Sequence, residues 1–108
     1  MAQMIDLNKI KKALSDKRVR FRSHSAEMII ERNILKQEVY DTLQFGEVIE
    51  EYITDKPFPS YLFFFHNGMK PIHVVCSYNN IDDYVVIITV YIPDDDHFES
   101  DFRSRRKK

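Results

Sequence analysis

The strongest constraint on how this chain can fold is the dipeptide Asn67-Gly68, which lies between two apolar runs. Asn and Gly both accept positive φ, and such a pair between apolar runs is a strong signal for a two-residue β-hairpin turn. We therefore expect residues 61–66 and 71–77 to form two antiparallel strands joined by this turn.

The same turn predicts which side chains share a face of the sheet, because directly opposed residues project to the same side. With a two-residue loop, His66 opposes Met69 and Leu62 opposes His73. One face is then apolar enough to lie under helices, and it carries Tyr61, Phe63, Phe65, Ile72, Val74 and Cys76. His73 falls on the other, more mixed face, which we expect to be open to a ligand.

The segments before Gly46 have helical rather than strand periodicity, apart from one short strand. Apolar residues spaced by three or four predict helices over residues 5–15, 24–32 and 35–45. Ser23 is the expected N-cap of the second helix, and Asn33 and Gly46 are the expected stops of the second and third. The buried positions expected in the last two helices are Ala26, Ile29, Ile30, Leu35, Val39 and Leu43.

Residues 18–23 alternate strictly, which predicts a half-buried strand with Arg18, Arg20 and Arg22 on one side. Further strands are expected over residues 47–53 and 84–92. The order is helix, strand, two helices and then four strands in a meander. This order favours an α+β domain with a mostly antiparallel sheet of four to five strands and two to three helices packed on one face.

The length of 108 residues suits a single domain over residues 1–108. With Cys76 as the one cysteine, no disulfide can form within the chain, and no apolar stretch reaches membrane-spanning length. We therefore expect a cytoplasmic protein that does not use a membrane. A flexible charged tail is expected from about residues 97–108, although Phe98 and Phe102 are spaced to dock on the sheet or on a partner.

Four residues are candidates for proton transfer and charge stabilisation: His24, Arg32, His73 and Tyr91. An imidazole titrates near neutral pH, and a guanidinium can bind a phosphate with two hydrogen bonds. Each has a structural alternative. His73 can be a buried histidine satisfied by a backbone carbonyl or a carboxylate, His24 a residue of the helix start, Arg32 an ion-pair partner and Tyr91 a packing residue.

Other kinds of site find little support in the sequence. The four histidines and one cysteine lack zinc-ligand spacing, and His97 among Asp94, Asp95 and Asp96 is a weak surface cluster. There is no glycine-rich phosphate loop and no Ser–His–Asp spacing, so we expect neither metal nor cofactor. RNA cleavage suits such a site, because the ribose 2′-hydroxyl is its own nucleophile. The cations expected to bind RNA are Arg20, Arg22 and Lys70.

Four ordered motifs resemble a bacterial and archaeal family known as domain of unknown function 4258. They are His24 with residues 31–34, residues 46–52, residues 70–75 and residues 88–94. The resemblance covers roughly residues 18–103. Some positions depart from the family pattern, and the main one is Met28, where the family commonly has an arginine.

The family is regarded as similar to the RelE/MqsR-like toxins, so the resemblance implies a RelE-like fold and a metal-independent mRNA endoribonuclease. It also implies the toxin role in a type II toxin–antitoxin module, with RNA and a cognate antitoxin of the zinc-ribbon or helix–turn–helix type as partners. The alternative is a non-catalytic domain of the same fold that binds protein or nucleic acid. Because Met28 takes the place of an arginine that could bind a phosphate, this position bears on whether the protein is a ribonuclease or a non-catalytic domain.

Overall fold

The computed structural model describes residues 7–94, residue 98 and residues 100–104. Within them the chain forms three helices and five strands, in the order α1 (Leu7–Ser15), β1 (Val19–Phe21), α2 (Ser23–Glu31), α3 (Lys36–Phe45), β2 (Glu47–Tyr52), β3 (Ser60–His66), β4 (Pro71–Asn79) and β5 (Tyr84–Tyr91). Residues 5–6 of the first predicted helix lie outside the described residues.

The five strands form one sheet in the order β1-β5-β4-β3-β2. Strands β2 to β5 are an antiparallel meander, as predicted. Strand β1 instead pairs in parallel with β5, with Val19 beside Val85 and Phe21 beside Ile87. The fold is therefore α+β with a mostly antiparallel sheet, and the predicted fold class is confirmed.

The three helices and a single face of the sheet together form one hydrophobic core. That face presents Tyr61, Phe63, Ile72, Val74 and Cys76, and the helices contribute Ile10, Ala13, Ile29, Ile34, Val39 and Leu43. The predicted helix-covered face of the hairpin is thus confirmed, because a period-two pattern places all of these side chains on one side. We call the opposite side of the sheet the open face.

Helix α2 differs from its prediction in two respects. Its N-cap is Arg22 rather than Ser23, and Ser25 instead fixes the helix start by donating to the carbonyls of Arg22 (2.7 Å) and Ile87 (3.1 Å). Its buried positions are Ser25, Met28 and Ile29, whereas Ile30 is 77% exposed. The prediction that Ile30 is buried is therefore wrong, because the helix turns a different stripe inward.

The start of helix α3 also corrects the prediction. Leu35 is the N-cap and is 66% exposed, so it is not part of the core. Its backbone N–H donates to Glu38 Oε1 at 2.9 Å, which satisfies one of the N–H groups that the first turn leaves unpaired. At the other end, a Cβ at Gly46 would collide with the carbonyl oxygens of Thr42 and Phe64. This close approach explains the glycine that ends the helix.

The β3–β4 hairpin has a four-residue connection, Asn67 to Lys70, rather than the predicted two-residue turn. The Asn67 side-chain oxygen accepts the N–H groups of Met69 (2.9 Å) and Lys70 (3.0 Å), which stabilises the wider loop. His66 now opposes Pro71, and Phe64 opposes His73. The shift of the register by two residues leaves every side chain on its predicted face.

None of the helices within the described residues is both long and apolar enough to span a membrane.

Candidate functional site

The candidate site is a row of side chains that crosses the open face from β2 to β5. The strand pairing places Glu47 beside Phe64, Phe64 beside His73, and His73 beside Tyr91. Because directly opposed residues project to the same side, all four point away from the helices. We refer to these four residues as the open-face row.

His73 is the centre of the row, and both of its ring nitrogens have partners. Nδ1 lies 3.2 Å from the Tyr91 hydroxyl oxygen, and Nε2 lies 2.6 Å from the backbone carbonyl oxygen of Phe102. A carbonyl can only accept, so Nε2 carries a hydrogen and donates to it. In the neutral imidazole Nδ1 is then the acceptor, and the Tyr91 hydroxyl can donate to it.

His73 is on the predicted face, but it is fully buried. The expectation that a ligand could reach it directly is wrong, because Phe98 and Phe102 lie over it on the open face. The Phe98 ring stands edge-on to the imidazole at 4.6 Å between centroids, and only 2% of Phe98 is exposed. The Phe64 ring lies beside the imidazole at 5.6 Å. His73 therefore has the surroundings of a core residue.

We name the covering segment, Phe98 together with residues 100–104, the C-terminal strap. Its far end is held by Arg103, whose guanidinium lies 2.7 Å from Glu47 Oε1 and 5.5 Å from the centre of the Phe64 ring. Phe102 also contacts the His66 ring, with centroids 6.2 Å apart. The described strap residues thus dock on the sheet, which is one of the two outcomes expected for Phe98 and Phe102.

The structure joins His73 to Tyr91, but it does not bring His24 or Arg32 to them. His24 lies in the first turn of α2 and Arg32 is its C-cap, so a rise of 1.5 Å per residue places their Cα atoms about 12 Å apart. Both side chains are exposed. Within the described residues, neither makes a hydrogen bond or an ion pair with the histidine–tyrosine pair.

Met28, which stands where the family commonly has an arginine, links α2 to the open face. Its sulfur accepts a hydrogen bond from the Thr89 hydroxyl at 3.2 Å. Thr89 opposes Val75 in the sheet and precedes Tyr91 by two residues on the same side of β5. Position 28 therefore contacts β5 two residues before Tyr91, and here it is filled by a buried, uncharged side chain.

The predicted nucleic-acid-binding residues separate into two places. Arg20 pairs in register with Val86, which opposes Ser77, so it lies on the same open face as His73. Its guanidinium stacks on the Tyr84 ring at 4.1 Å. The exposed Arg22 follows two residues on, whereas Lys70 binds the Asn33 carbonyl at 2.8 Å and Glu38 at 3.0 Å. Lys70 therefore serves as a structural cation between two loops.

Two other titratable side chains, Cys76 and Arg18, are held in their protonated forms by their surroundings. Burial raises the pKa of the Cys76 thiol to about 12, so the thiol stays protonated at neutral pH and is not a nucleophile. The side-chain hydrogen bonds of Asp83 and Asp16 raise the pKa of Arg18, which forms ion pairs with both carboxylates. Arg18 is thus occupied, in contrast to Arg20 and Arg22.

An open cavity of about 400 Å³ adjoins the end of the strap and is lined by Glu47, Phe64, His66 and Arg103 among others. No group of three or more histidine, cysteine or acidic side chains that could hold a metal ion occurs among the described residues. Asp95, Asp96 and His97 of the weak surface cluster lie outside the part of the chain that the structure describes.

Sequence reasoning missed Glu47 and Arg103, because an exposed ion pair between distant segments leaves no local pattern. Phe64 was placed on the correct face but was not identified as a site residue. Only the spacing of Phe98 and Phe102 signalled that the tail docks on something.

Among curated proteins and solved structures, none matches this chain significantly. The sequence model of one family, described as Domain of unknown function (DUF4258), matches residues 21–92. The matched segment contains the whole open-face row and ends before the strap. Because it spans two thirds of the chain and agrees with the four motifs, this protein belongs to the DUF4258 family.

Proposed function

We propose that this protein is a metal-independent endoribonuclease that cleaves single-stranded mRNA in the cytoplasm, as the toxin of a type II toxin–antitoxin module. The observation that carries the proposal is the His73–Tyr91 pair, with 3.2 Å between Nδ1 and the hydroxyl oxygen, on the face that also presents Arg20. An imidazole, a phenol and nearby guanidinium groups suffice for chemistry in which RNA supplies its own nucleophile.

In the proposed reaction, His73 takes the proton of a ribose 2′-hydroxyl at Nε2. The 2′-oxygen then bonds to the adjacent phosphorus while the bond from phosphorus to the 5′-oxygen breaks. As the bond breaks, the Tyr91 hydroxyl gives its proton to the departing 5′-oxygen and takes the Nδ1 proton of the imidazolium in its place. The products are a 2′,3′-cyclic phosphate and a 5′-hydroxyl, and no metal ion takes part.

The other predicted residues have binding roles in this proposal, except Lys70, which keeps its structural role. Arg20 lies two strands across and four residues along the sheet from His73, which is about 16 Å from the strand spacing and rise. It therefore binds a phosphate at a distance from the cleaved bond, together with Arg22. His24 and Arg32, on the helix that carries Met28, bind the RNA that flanks the site.

One observation favours a second candidate, a non-catalytic binding domain of the same fold. His73 is fully buried, and the Phe102 carbonyl occupies the nitrogen that would have to act as the base. In this candidate the open face or the helices bind a protein partner or a nucleic acid, and His73 only stabilises the docked strap. If the protein is instead the toxin, its expected protein partner is a zinc-ribbon or helix–turn–helix antitoxin.

The test is cleavage of an end-labelled single-stranded RNA by the purified protein in the presence of a chelator. We expect products with 2′,3′-cyclic phosphate ends, and no cleavage where the ribose is replaced by 2′-deoxyribose. His73→Gln should slow cleavage by about 10²- to 10⁴-fold, the usual contribution of a general base. Gln37→Ala, a substitution of an exposed residue on α3 and so away from the open face, is the control and should leave the cleavage rate unchanged.

Cleavage that stops when metal is removed, or that proceeds at a 2′-deoxy position, would contradict the proposed chemistry. Binding of RNA without cleavage would select the second candidate.

A further inference from the structure

The strap covers Nε2 of His73, the ring nitrogen that acts as the base in the proposed chemistry. With the strap docked, Nε2 donates to the Phe102 carbonyl at 2.6 Å, so it cannot accept a proton. Removal of that carbonyl allows the other tautomer, in which Nδ1–H donates to the Tyr91 oxygen and Nε2 carries the free lone pair. The position of the strap therefore decides whether His73 can act as a base.

Within the described part of the strap, Arg103 at the far end is held by two weak contacts. The carboxylate of Glu47 and the guanidinium of Arg103 remain 48% and 55% exposed, and ion pairs at such exposure contribute little to stability. The contact of Arg103 with the Phe64 ring, at 5.5 Å, adds a second weak attraction. We call these two contacts of Arg103 the latch.

The backbone conformation of Phe102 also disfavours tight docking of the strap. Phe102 has φ of 61°, in the left-handed region that bulky side chains rarely adopt. Docking must offset this strain, since the same residue supplies the carbonyl that binds His73. A cover with a weak latch and a strained contact residue is suited to opening.

We propose that the C-terminal strap is an autoinhibitory cover, and that its opening at the latch gives access to His73. This proposal deepens the proposed function. It rests on that function in one respect, the identity of the ligand that enters. The seat of the Phe98 ring, edge-on to His73 and beside Tyr91, is bounded by aromatic rings of the kind on which unpaired nucleobases stack. Single-stranded RNA therefore competes with the strap for the same surface.

The experiment measures the rate at which diethyl pyrocarbonate modifies each histidine of the full-length protein, resolved by peptide mass spectrometry. His24 and His66 are exposed, and His24, which makes no contact with the strap among the described residues, is the reference within the same molecule. In the unmodified sequence we expect both to react while His73 is protected by its burial.

Glu47→Gln removes the charge that holds Arg103 and should raise the modification rate of His73 by about two- to fivefold, in line with an exposed ion pair. Phe98→Ala removes the buried ring of the cover and should raise the rate by roughly tenfold or more. Asp16→Asn is the matched control, because it removes the carboxylate of another exposed arginine ion pair, 3.0 Å from Arg18 at the start of β1, and should leave His73 protected.

Two results would overturn the cover. One is a His73 that reacts as fast as His24 in the unmodified sequence, and the other is a His73 whose rate is the same in Glu47→Gln, Phe98→Ala and Asp16→Asn. The unfolding temperature of each variant shows whether the fold is kept, and a reactive His73 in a protein with a native transition supports the cover. RNA cleavage is measured separately, so exposure of His73 without any cleavage contradicts the proposed function and leaves the cover standing.

Discussion

Glu38 shows how a single side chain fixes the shape of this domain. Its carboxylate accepts the Leu35 N–H at 2.9 Å, the Asn67 side-chain amide at 2.8 Å and the Lys70 ammonium at 3.0 Å. It thereby ties the start of α3 to the β3–β4 loop. Burial alone would raise the pKa of Glu38, but these hydrogen bonds outweigh it and hold the pKa below the usual 4.5.

This arrangement predicts an acid-sensitive contribution to stability. A carboxyl whose pKa is lowered by folding stabilises the protein above its unfolded-state pKa, and the contribution is lost as pH falls through the folded-state pKa. We expect Glu38→Gln to lower the free energy of unfolding by about 1–2 kcal/mol at pH 7, the usual cost of weakening hydrogen bonds to a charged group. Urea denaturation at pH 7 and at several pH values below 4.5 measures the difference, which should shrink as pH falls.

Glu27→Gln is the control, because Glu27 is exposed and makes no ion pair among the described residues. It should change stability by less than about 0.5 kcal/mol at either pH. A Glu38→Gln difference that stays constant between pH 7 and pH 3 would show that the charge of Glu38 is not what stabilises the two loops.

At this scale, sequence reasoning identified His73 and its face, and it gave a buried histidine bound to a backbone carbonyl as the alternative to an open site; the structure shows that alternative. The atoms that cover it come from Phe98 and Phe102, and no local periodicity reports contacts with residues so far along the chain. Ile30 and Leu35 were predicted to be buried because they are apolar at helical spacing. Both lie at helix ends, where the helix faces solvent on more sides than the pattern assumes.

Among the elements, β1 carries the cations that we assign to RNA. It is an edge strand that contains Arg20 and is followed directly by Arg22, and neither arginine has a carboxylate partner among the described residues. Arg18, which immediately precedes the strand, is instead paired with Asp16 and Asp83. This part of the chain therefore contains the arginines that we assign to RNA and also Arg18, an arginine whose charge is already neutralised by ion pairs.

Loss of the two free arginines should weaken RNA binding in a salt-dependent way. Each phosphate contact removed should reduce the slope of log K against log salt concentration by about 0.7 for a single strand. The double variant Arg20→Gln/Arg22→Gln should therefore flatten the slope by about 1.4, and Arg18→Gln should leave it unchanged. Fluorescence anisotropy of a labelled single-stranded RNA across a salt series measures the slope, and an unaltered slope in the double variant would exclude this surface.

The bounds of the strands and helices could be predicted to within two residues because their periodicities are strong. The faces of β3 and β4 were also correct, although the loop proved to have four residues. An error of two residues in register preserves the face, whereas an error of one would have exchanged the two sides. The parallel pairing of β1 with β5 could not be foreseen in this way, since periodicity identifies a strand but not its partner.

Considered as a whole molecule, the protein is a sheet with two differently covered faces. The helices cover one face through a continuous apolar core. Among the described residues, the strap covers the open-face row through the buried Phe98 ring, the hydrogen bond from His73 to Phe102, the contact of Phe102 with His66 and the exposed latch. The family match includes the open-face row but not the strap. We therefore regard His73 and its neighbours as the functional part and the strap as the part that controls access to them.

The most direct test of this account is the rate at which four proteins cleave one single-stranded RNA in the presence of a chelator. They are the unmodified sequence, Glu47→Gln, His73→Gln and the variant that combines both substitutions. The account predicts that Glu47→Gln cleaves faster than the unmodified sequence, by the two- to fivefold expected from loss of an exposed ion pair. Both proteins that lack His73 should be at least about 100-fold slower than their parents. A combined variant that cleaves as fast as Glu47→Gln, or RNA that stays intact with all four proteins, would contradict the account.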